Sequence, residues 1–192
     1  MLATLDLPPL PEATIVGFVG NGARKLVERS LAASGGQAAV ALLDRALPSW
    51  LDHYGRHLLD TTRLHRGVAD TIRQLRARDL VLSVATNKPE AMARAILDGL
   101  GLGGVFTGIL GGDSVPRHKP DPAIIHVLRR GCDVTAEETV LVGDSPVDVA
   151  TARAAGVAAC AVTWGLTSPD VLRAAAPDLV VERPEELLRV AG

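Results

Sequence analysis

Aromatic side chains are scarce in this sequence of 192 residues: Phe, Trp and Tyr together make up 3%. A core must therefore be built from Leu, Val, Ile and Ala, and a hydrophobic content of 47% is enough for one. Cysteine is nearly absent. Cys132 and Cys160 have no metal-ligand spacing. They could pair, but two thiols in a chain with a sizeable core more often stay reduced in the cytosol. No apolar run approaches the length of a membrane-spanning helix. The opening residues, Met1-Leu2-Ala3-Thr4-Leu5-Asp6, carry no basic region, and Asp6 and Pro8-Pro9 interrupt their apolar character, so no signal peptide is read. No excess of either charge is present: 22 acidic against 20 basic residues give a formal charge of −2, without a nucleic-acid footprint or a membrane-binding surface. The expectation is a soluble cytoplasmic protein of one domain, or a core with a small accessory domain.

What is there divides into two unlike parts. Residues 1–62 are helical in pattern. Lys25–Ala33 places Leu26, Val27 and Leu31 toward one side, and Gly35-Gly36 stops that helix. Ala39–Leu59 is a second helical stretch, in which Pro48 predicts a break or a new first turn. From Leu64 onward, short apolar runs alternate with amphipathic helices. The runs are Leu80–Ala85, Val105–Leu110, Thr139–Val142, Ala158–Val162 and Leu179–Val181, with helices at about Val68–Arg78, Glu90–Leu100, Pro122–Arg130, Pro146–Ala155 and Pro169–Ala175. Asp121-Pro122, Ser145-Pro146 and Ser168-Pro169 are helix starts, and Gly156 is a stop. The pattern predicts an α/β fold: a Rossmann-like parallel sheet buried on both faces by helices, plus a small all-helical part. In such folds the site lies beyond the carboxyl ends of the strands.

Three strand ends carry polar residues suited to phosphoryl chemistry. Thr86-Asn87-Lys88-Pro89 offers a hydroxyl and backbone N–H groups for a phosphate oxygen, although Thr and Asn are also ordinary helix caps. Lys119 begins Lys119-Pro120-Asp121-Pro122, whose prolines stiffen the loop; its ammonium could neutralise a phosphoryl group, whereas a loop lysine is commonly just solvated. Gly143-Asp144-Ser145-Pro146-Val147-Asp148 places two carboxylates four residues apart across a strand end and a helix start. That suits a hard cation such as Mg²⁺, and equally a capped helix whose dipole favours acidic residues. His53 and His57 are one turn apart without a third ligand, so they read as exposed histidines; His118 reads as a loop neighbour of Lys119.

In their order, these motifs resemble the haloacid dehalogenase superfamily: Val84–Pro89 its second motif, Lys119–Pro122 its third, Gly143–Asp148 its fourth. Leu7–Pro11 and Gly17–Arg24 look like the helical cap of phosphoglycolate phosphatases, and Gly111-Gly112-Asp113 and Val162–Gly165 match the style of that subgroup. The resemblance implies a partial cap at 1–62 and a Rossmann-like core at 63–192. It implies that Thr86 and Lys119 are catalytic, that Thr86 and Asn87 bind the phosphoryl group, and that Asp144 ligates Mg²⁺ with Asp148 assisting or holding the shell. Arg24 is the candidate for a substrate carboxylate.

The family's first motif, Asp-x-Asp-Gly-Thr, supplies the attacking aspartate on a central strand between those ending at Thr86 and Asp144. These residues do not contain it, and Asp6 in Leu-Asp-Leu-Pro-Pro lacks its context. The expectation is a chain that starts after the motif, lacking the first strand, whose complete form hydrolyses a small phosphorylated metabolite, 2-phosphoglycolate above others. A sugar-phosphate phosphatase, a phosphomutase, a pyrophosphatase, a non-catalytic phosphate binder and an inert fragment remain open. The sequence implies no nucleic-acid or membrane partner and leaves the oligomeric state undefined.

Overall fold

The computed structural model describes residues 1–190. After a 3-10 turn at Ala3–Leu5, the helices α1 (Glu12–Val16), α2 (Ala23–Val40) and α3 (Leu43–Arg56) make up the first part. In α2 the helical conformation fails at Gly35 and Gly36, where the sequence places the stop; Gly36 has φ 67°, a value that glycine adopts without steric cost. Pro48 does not break the second helix as expected: α3 runs through it. The lost hydrogen bond is outweighed by burial, because Leu43 and Ala46 sit in a cluster with Val27, Leu31 and Ala39, supported by Leu47 and Trp50. Burying a side chain such as Leu31 fully is worth about 1.5–3 kcal/mol.

The remainder runs α4 (Val68–Arg76), β1 (Ser83–Ala85), α5 (Glu90–Gly99), β2 (Gly108–Leu110), α6 (Ala123–Cys132), β3 (Val140–Gly143), α7 (Pro146–Ala155), β4 (Ala158–Val162), α8 (Pro169–Ala174), β5 (Leu179–Val181) and α9 (Leu187–Val190). Every strand pairing is parallel. Among the described residues the strands form two sheets, β1-β2 and β3-β4-β5, and the break falls between β1 and β3, the strands between which the family's first strand is expected. No backbone ladder joins β1 to β3. The halves are held by side chains: Ala85, Leu110 and Leu141 all pack on the cluster of Ile124, Ile125, Val149, Ala152 and Ala159 formed with α6 and α7.

Burial on both faces holds for β4. Ala159 joins the α6–α7 cluster, while its neighbour Cys160 and then Val162 join Val181, Trp164 and Leu187 on the other side. It does not hold for β3, where Val140 and Val142 are 37% and 43% exposed because no described residue covers them. The helix starts behave as the sequence predicts at two of three places. Asp121 Oδ1 accepts from Ala123 N–H at 3.0 Å, and Ser145 Oγ accepts from Asp148 N–H at 3.3 Å, but the Ser168 side chain makes no capping bond. Gly156 closes α7 at φ 67°. Among the described residues, no helix is long and apolar enough to cross a membrane.

Candidate active site

The loops after β1, β2 and β3 converge on Lys119. Its side chain is 10% exposed, and its Nζ donates to Ala85 O at 2.8 Å and to Asp148 Oδ1 at 2.7 Å. The ammonium thus spans from the end of β1 to the first turn of α7, across the break between the sheets. Asp148, equally enclosed, also accepts from Ser145 Oγ at 2.6 Å through Oδ2. Gly143 makes this possible: a Cβ there would overlap the Asp148 side chain. A charge pair so far removed from water is strong only when its remaining lone pairs are satisfied, as Ser145 does here.

Asp144, half-buried at the end of β3, accepts from Leu166 N–H at 3.0 Å through Oδ2. The loop carrying Leu166 approaches so closely that a Cβ on Gly165 would overlap the Asp144 carboxylate. Oδ1 of Asp144 has no hydrogen-bond partner among the described residues. No group of three or more His, Cys, Asp or Glu side chains that could hold a metal ion is present among them.

Thr86 is half-buried beyond β1. Its N–H pairs with Leu110 O at 3.1 Å, and its Oγ1 accepts from Lys88 N–H at 3.1 Å, leaving the hydroxyl hydrogen to donate elsewhere. The Asn87 side chain is committed to backbone partners. It is 6% exposed, and its amide bonds the backbone of Gly20 and of Lys119. Arg24 lines a cleft of 330 Å³ between the helical part and the α/β part, together with Lys25, Leu51, Pro89 and His118. It is exposed and pairs with Asp44 at 3.1 Å. His53 and His57 are exposed, their rings 4.5 Å apart, and His57 pairs with Asp60.

Three sets of contacts beside the site were not expected from the sequence. Asp113 caps α5 through Glu90 N–H at 2.8 Å. Ser114 Oγ donates to the Glu90 carboxylate, which Arg94 also contacts, and these two partners hold the Glu90 carboxyl below the ordinary glutamate range. Lys88 Nζ donates to Tyr54 OH and lies 4.4 Å from the centre of its ring. These contacts join distant segments, and only the turn-forming Gly111-Gly112-Asp113 left a local trace in the sequence.

Residues 1–162 match the family Haloacid dehalogenase-like hydrolase. The chain belongs to that family. It is 37% identical over 190 residues to the phosphoglycolate phosphatase of Pseudomonas putida, covering 98% of this chain and 70% of that protein. To the phosphoglycolate phosphatase of Rhodospirillum rubrum it is 41% identical over 174 residues, covering 88% of this chain and 72% of that one. Its fold superimposes on the crystal structure of a predicted phosphoglycolate phosphatase from Haemophilus somnus with a TM-score of 0.89 at 28% identity, over 100% of this chain and 87% of the other. The α/β architecture with parallel strands expected from the sequence is thus that of a haloacid dehalogenase-like hydrolase.

Proposed function

We propose that this hydrolase acts on a small phosphomonoester, with 2-phosphoglycolate the favoured substrate. The observation that carries the reading is the enclosed Lys119, whose ammonium is fixed between Ala85 O and Asp148 where the phosphate-binding loop begins. Its charge would offset the phosphoryl oxygens, and the Thr86 hydroxyl and the N–H groups that follow would bind one of them. Residues 1–62 would serve as the cap, closing the 330 Å³ cleft over the organic end of the substrate, where Arg24 and Lys25 offer positive charge to a carboxylate. The names and identities of the two relatives favour that substrate over a sugar phosphate.

The donor set suits Mg²⁺, a hard cation that takes one or two carboxylates and keeps several waters. Asp144 would ligate it through the oxygen that makes no hydrogen bond, and Asp148, committed to Lys119 and Ser145, would hold the surrounding shell. The ion, when bound, neutralises charge on phosphoryl oxygens. By family resemblance, attack on phosphorus belongs to an aspartate of Asp-x-Asp-Gly-Thr, which these 192 residues do not contain. The second reading is a protein that binds phosphate and Mg²⁺ without turnover.

Release of inorganic phosphate from 2-phosphoglycolate in the presence of Mg²⁺, by a form that carries the Asp-x-Asp-Gly-Thr motif and abolished there by Asp144→Asn, is the expected result. Binding of phosphate by that form with no release would overturn the first reading in favour of the second.

A further inference from the structure

Asn87 uses every polar atom of its side chain. Its Oδ1 accepts from Lys119 N–H at 2.9 Å, and its Nδ2 donates to Lys119 O at 3.1 Å and to Gly20 O at 2.9 Å. The first two bonds clasp one residue by both backbone groups, as a neighbouring strand would, and fix where the Lys119 side chain starts. The third reaches 67 residues back to the loop that leads into α2. Both amide hydrogens are engaged, so none is left for a phosphate oxygen. An aspartate could keep the Lys119 N–H bond but has no hydrogen for either carbonyl.

The surroundings hold the same three segments together. A Cβ on Gly22 would stand 3.3 Å from Asn87 O, and one on Gly112 would stand 2.8 Å from it while overlapping the His118 ring. The next residue, Lys88, makes an independent contact to the helical part at Tyr54. Asn87 is therefore the one of the two that touches both the Gly20 loop and Lys119.

We propose that the Asn87 side chain is a positioning group that couples the cap loop at Gly20 to the ammonium of Lys119, rather than a ligand of the phosphoryl group, which leaves the Asn87 backbone N–H to that role. This deepens the reading of Lys119 as the charge-neutralising group of the site. When the Gly20 carbonyl is in place, the Asn87 amide is oriented to hold both backbone groups of Lys119, and Nζ meets Asp148. When that loop moves away, the amide loses one anchor and Lys119 loses its fixed origin.

The test uses the 192-residue chain and two readouts besides turnover. The first is the NMR resonance of the Lys119 ammonium, assigned by its disappearance in Lys119→Met; the second is amide hydrogen exchange across residues 20–26. Asn87→Ala should shift or broaden the ammonium signal toward that of a solvated lysine, and speed exchange in the loop by about ten-fold, as expected for loss of the one hydrogen bond to Gly20 O. Asn87→Asp should speed loop exchange equally and displace the ammonium signal less, and it decides the matter if Asn87→Ala does not fold. Tyr54→Phe, which removes the hydroxyl that Lys88 donates to and keeps the ring beneath its ammonium, should leave the Lys119 signal where it is.

An unchanged ammonium signal in Asn87→Ala, or an equal shift in Tyr54→Phe, overturns the coupling. Titration with inorganic phosphate separates this from the functional reading. Wild type should bind it about ten-fold more tightly than Asn87→Ala. If wild type does not bind phosphate at all, the function assigned above fails while the two spectroscopic readouts still judge Asn87.

Discussion

The Lys119 ammonium lies 2.7 Å from Asp148, with the two side chains 10% and 11% exposed. Enclosure makes each charge depend on the other, because an ion left alone so far from water loses its solvation without compensation. Asp148→Ala should therefore destabilise the fold by about 3 kcal/mol. Lys119→Met should cost less, about 1–2 kcal/mol, since Asp148 keeps Ser145 and the positive end of α7. Urea unfolding of the two single variants and the double variant, analysed as a cycle, measures the pairwise coupling. A coupling near zero would mean that the contact contributes nothing.

The approach of Gly165 to Asp144 gives a second expectation. A methyl group at 165 overlaps the carboxylate, so Gly165→Ala must push Asp144 away from the Leu166 N–H that holds it. Mg²⁺ affinity should fall about ten-fold, as for loss of a partner that orients a ligand. Gly131→Ala is the control. That glycine lies inside α6 with nothing within 4 Å of its added Cβ, so the change should be neutral or stabilise by up to about 1 kcal/mol. Calorimetric Mg²⁺ titration and thermal unfolding of both variants check the pair.

The part of the candidate site that is legible in the sequence follows from where its information lies. Lys119, Asp144 and Asp148 each sit at a strand or helix end marked by local chemistry: prolines after Lys119, a glycine before Asp144, a capping serine before Asp148. The runs Ala158–Val162 and Leu179–Val181 are strands with the predicted bounds, because short apolar runs between good helix signals leave little choice. What was not legible depends on the third dimension. The bonds of the Asn87 amide to Gly20 and Lys119 span 67 and 32 residues and have no local mark in the sequence. Tyr54 counts as one more apolar position in a helix until Lys88 arrives over its ring. The continuity of α3 through Pro48 is decided by the Val27–Ala46 cluster, which local propensity does not contain.

Cys160 and Cys132 should differ sharply toward thiol reagents. Cys160 is 1% exposed in β4, and burial pushes its thiol up to about 11, so almost no thiolate forms near neutral pH and no reagent reaches it. Cys132, half-buried at the end of α6 with its sulfur 3.6 Å from Ser83 Oγ, is the accessible one. Native protein at pH 8 should take up one equivalent of iodoacetamide at Cys132, with Cys160 labelled only in denaturant; mass spectrometry of the peptides checks both. Early labelling of Cys160 would show that the β4 layer opens readily.

Glu90 carries a pH dependence whose sign can be worked out. Ser114 Oγ donates to its carboxylate and Arg94 pairs with it at 2.8 Å, so its folded-state pKa lies below the value in the unfolded chain. A carboxyl shifted this way binds protons more weakly when folded. Its contribution to stability is therefore fully present above the unfolded pKa and is lost as pH falls through the folded one. Ser114→Ala removes the largest cause and should move the Glu90 pKa up toward the ordinary glutamate range. The stability gap between wild type and Ser114→Ala should accordingly be widest at neutral pH and narrow in acid. A carboxyl-carbon NMR titration of Glu90, beside urea midpoints measured across the same pH range, tests both halves. A gap that stays constant into acid would assign the serine's effect to its other bond, from Gly111 N–H to Ser114 Oγ at 2.8 Å, which does not titrate.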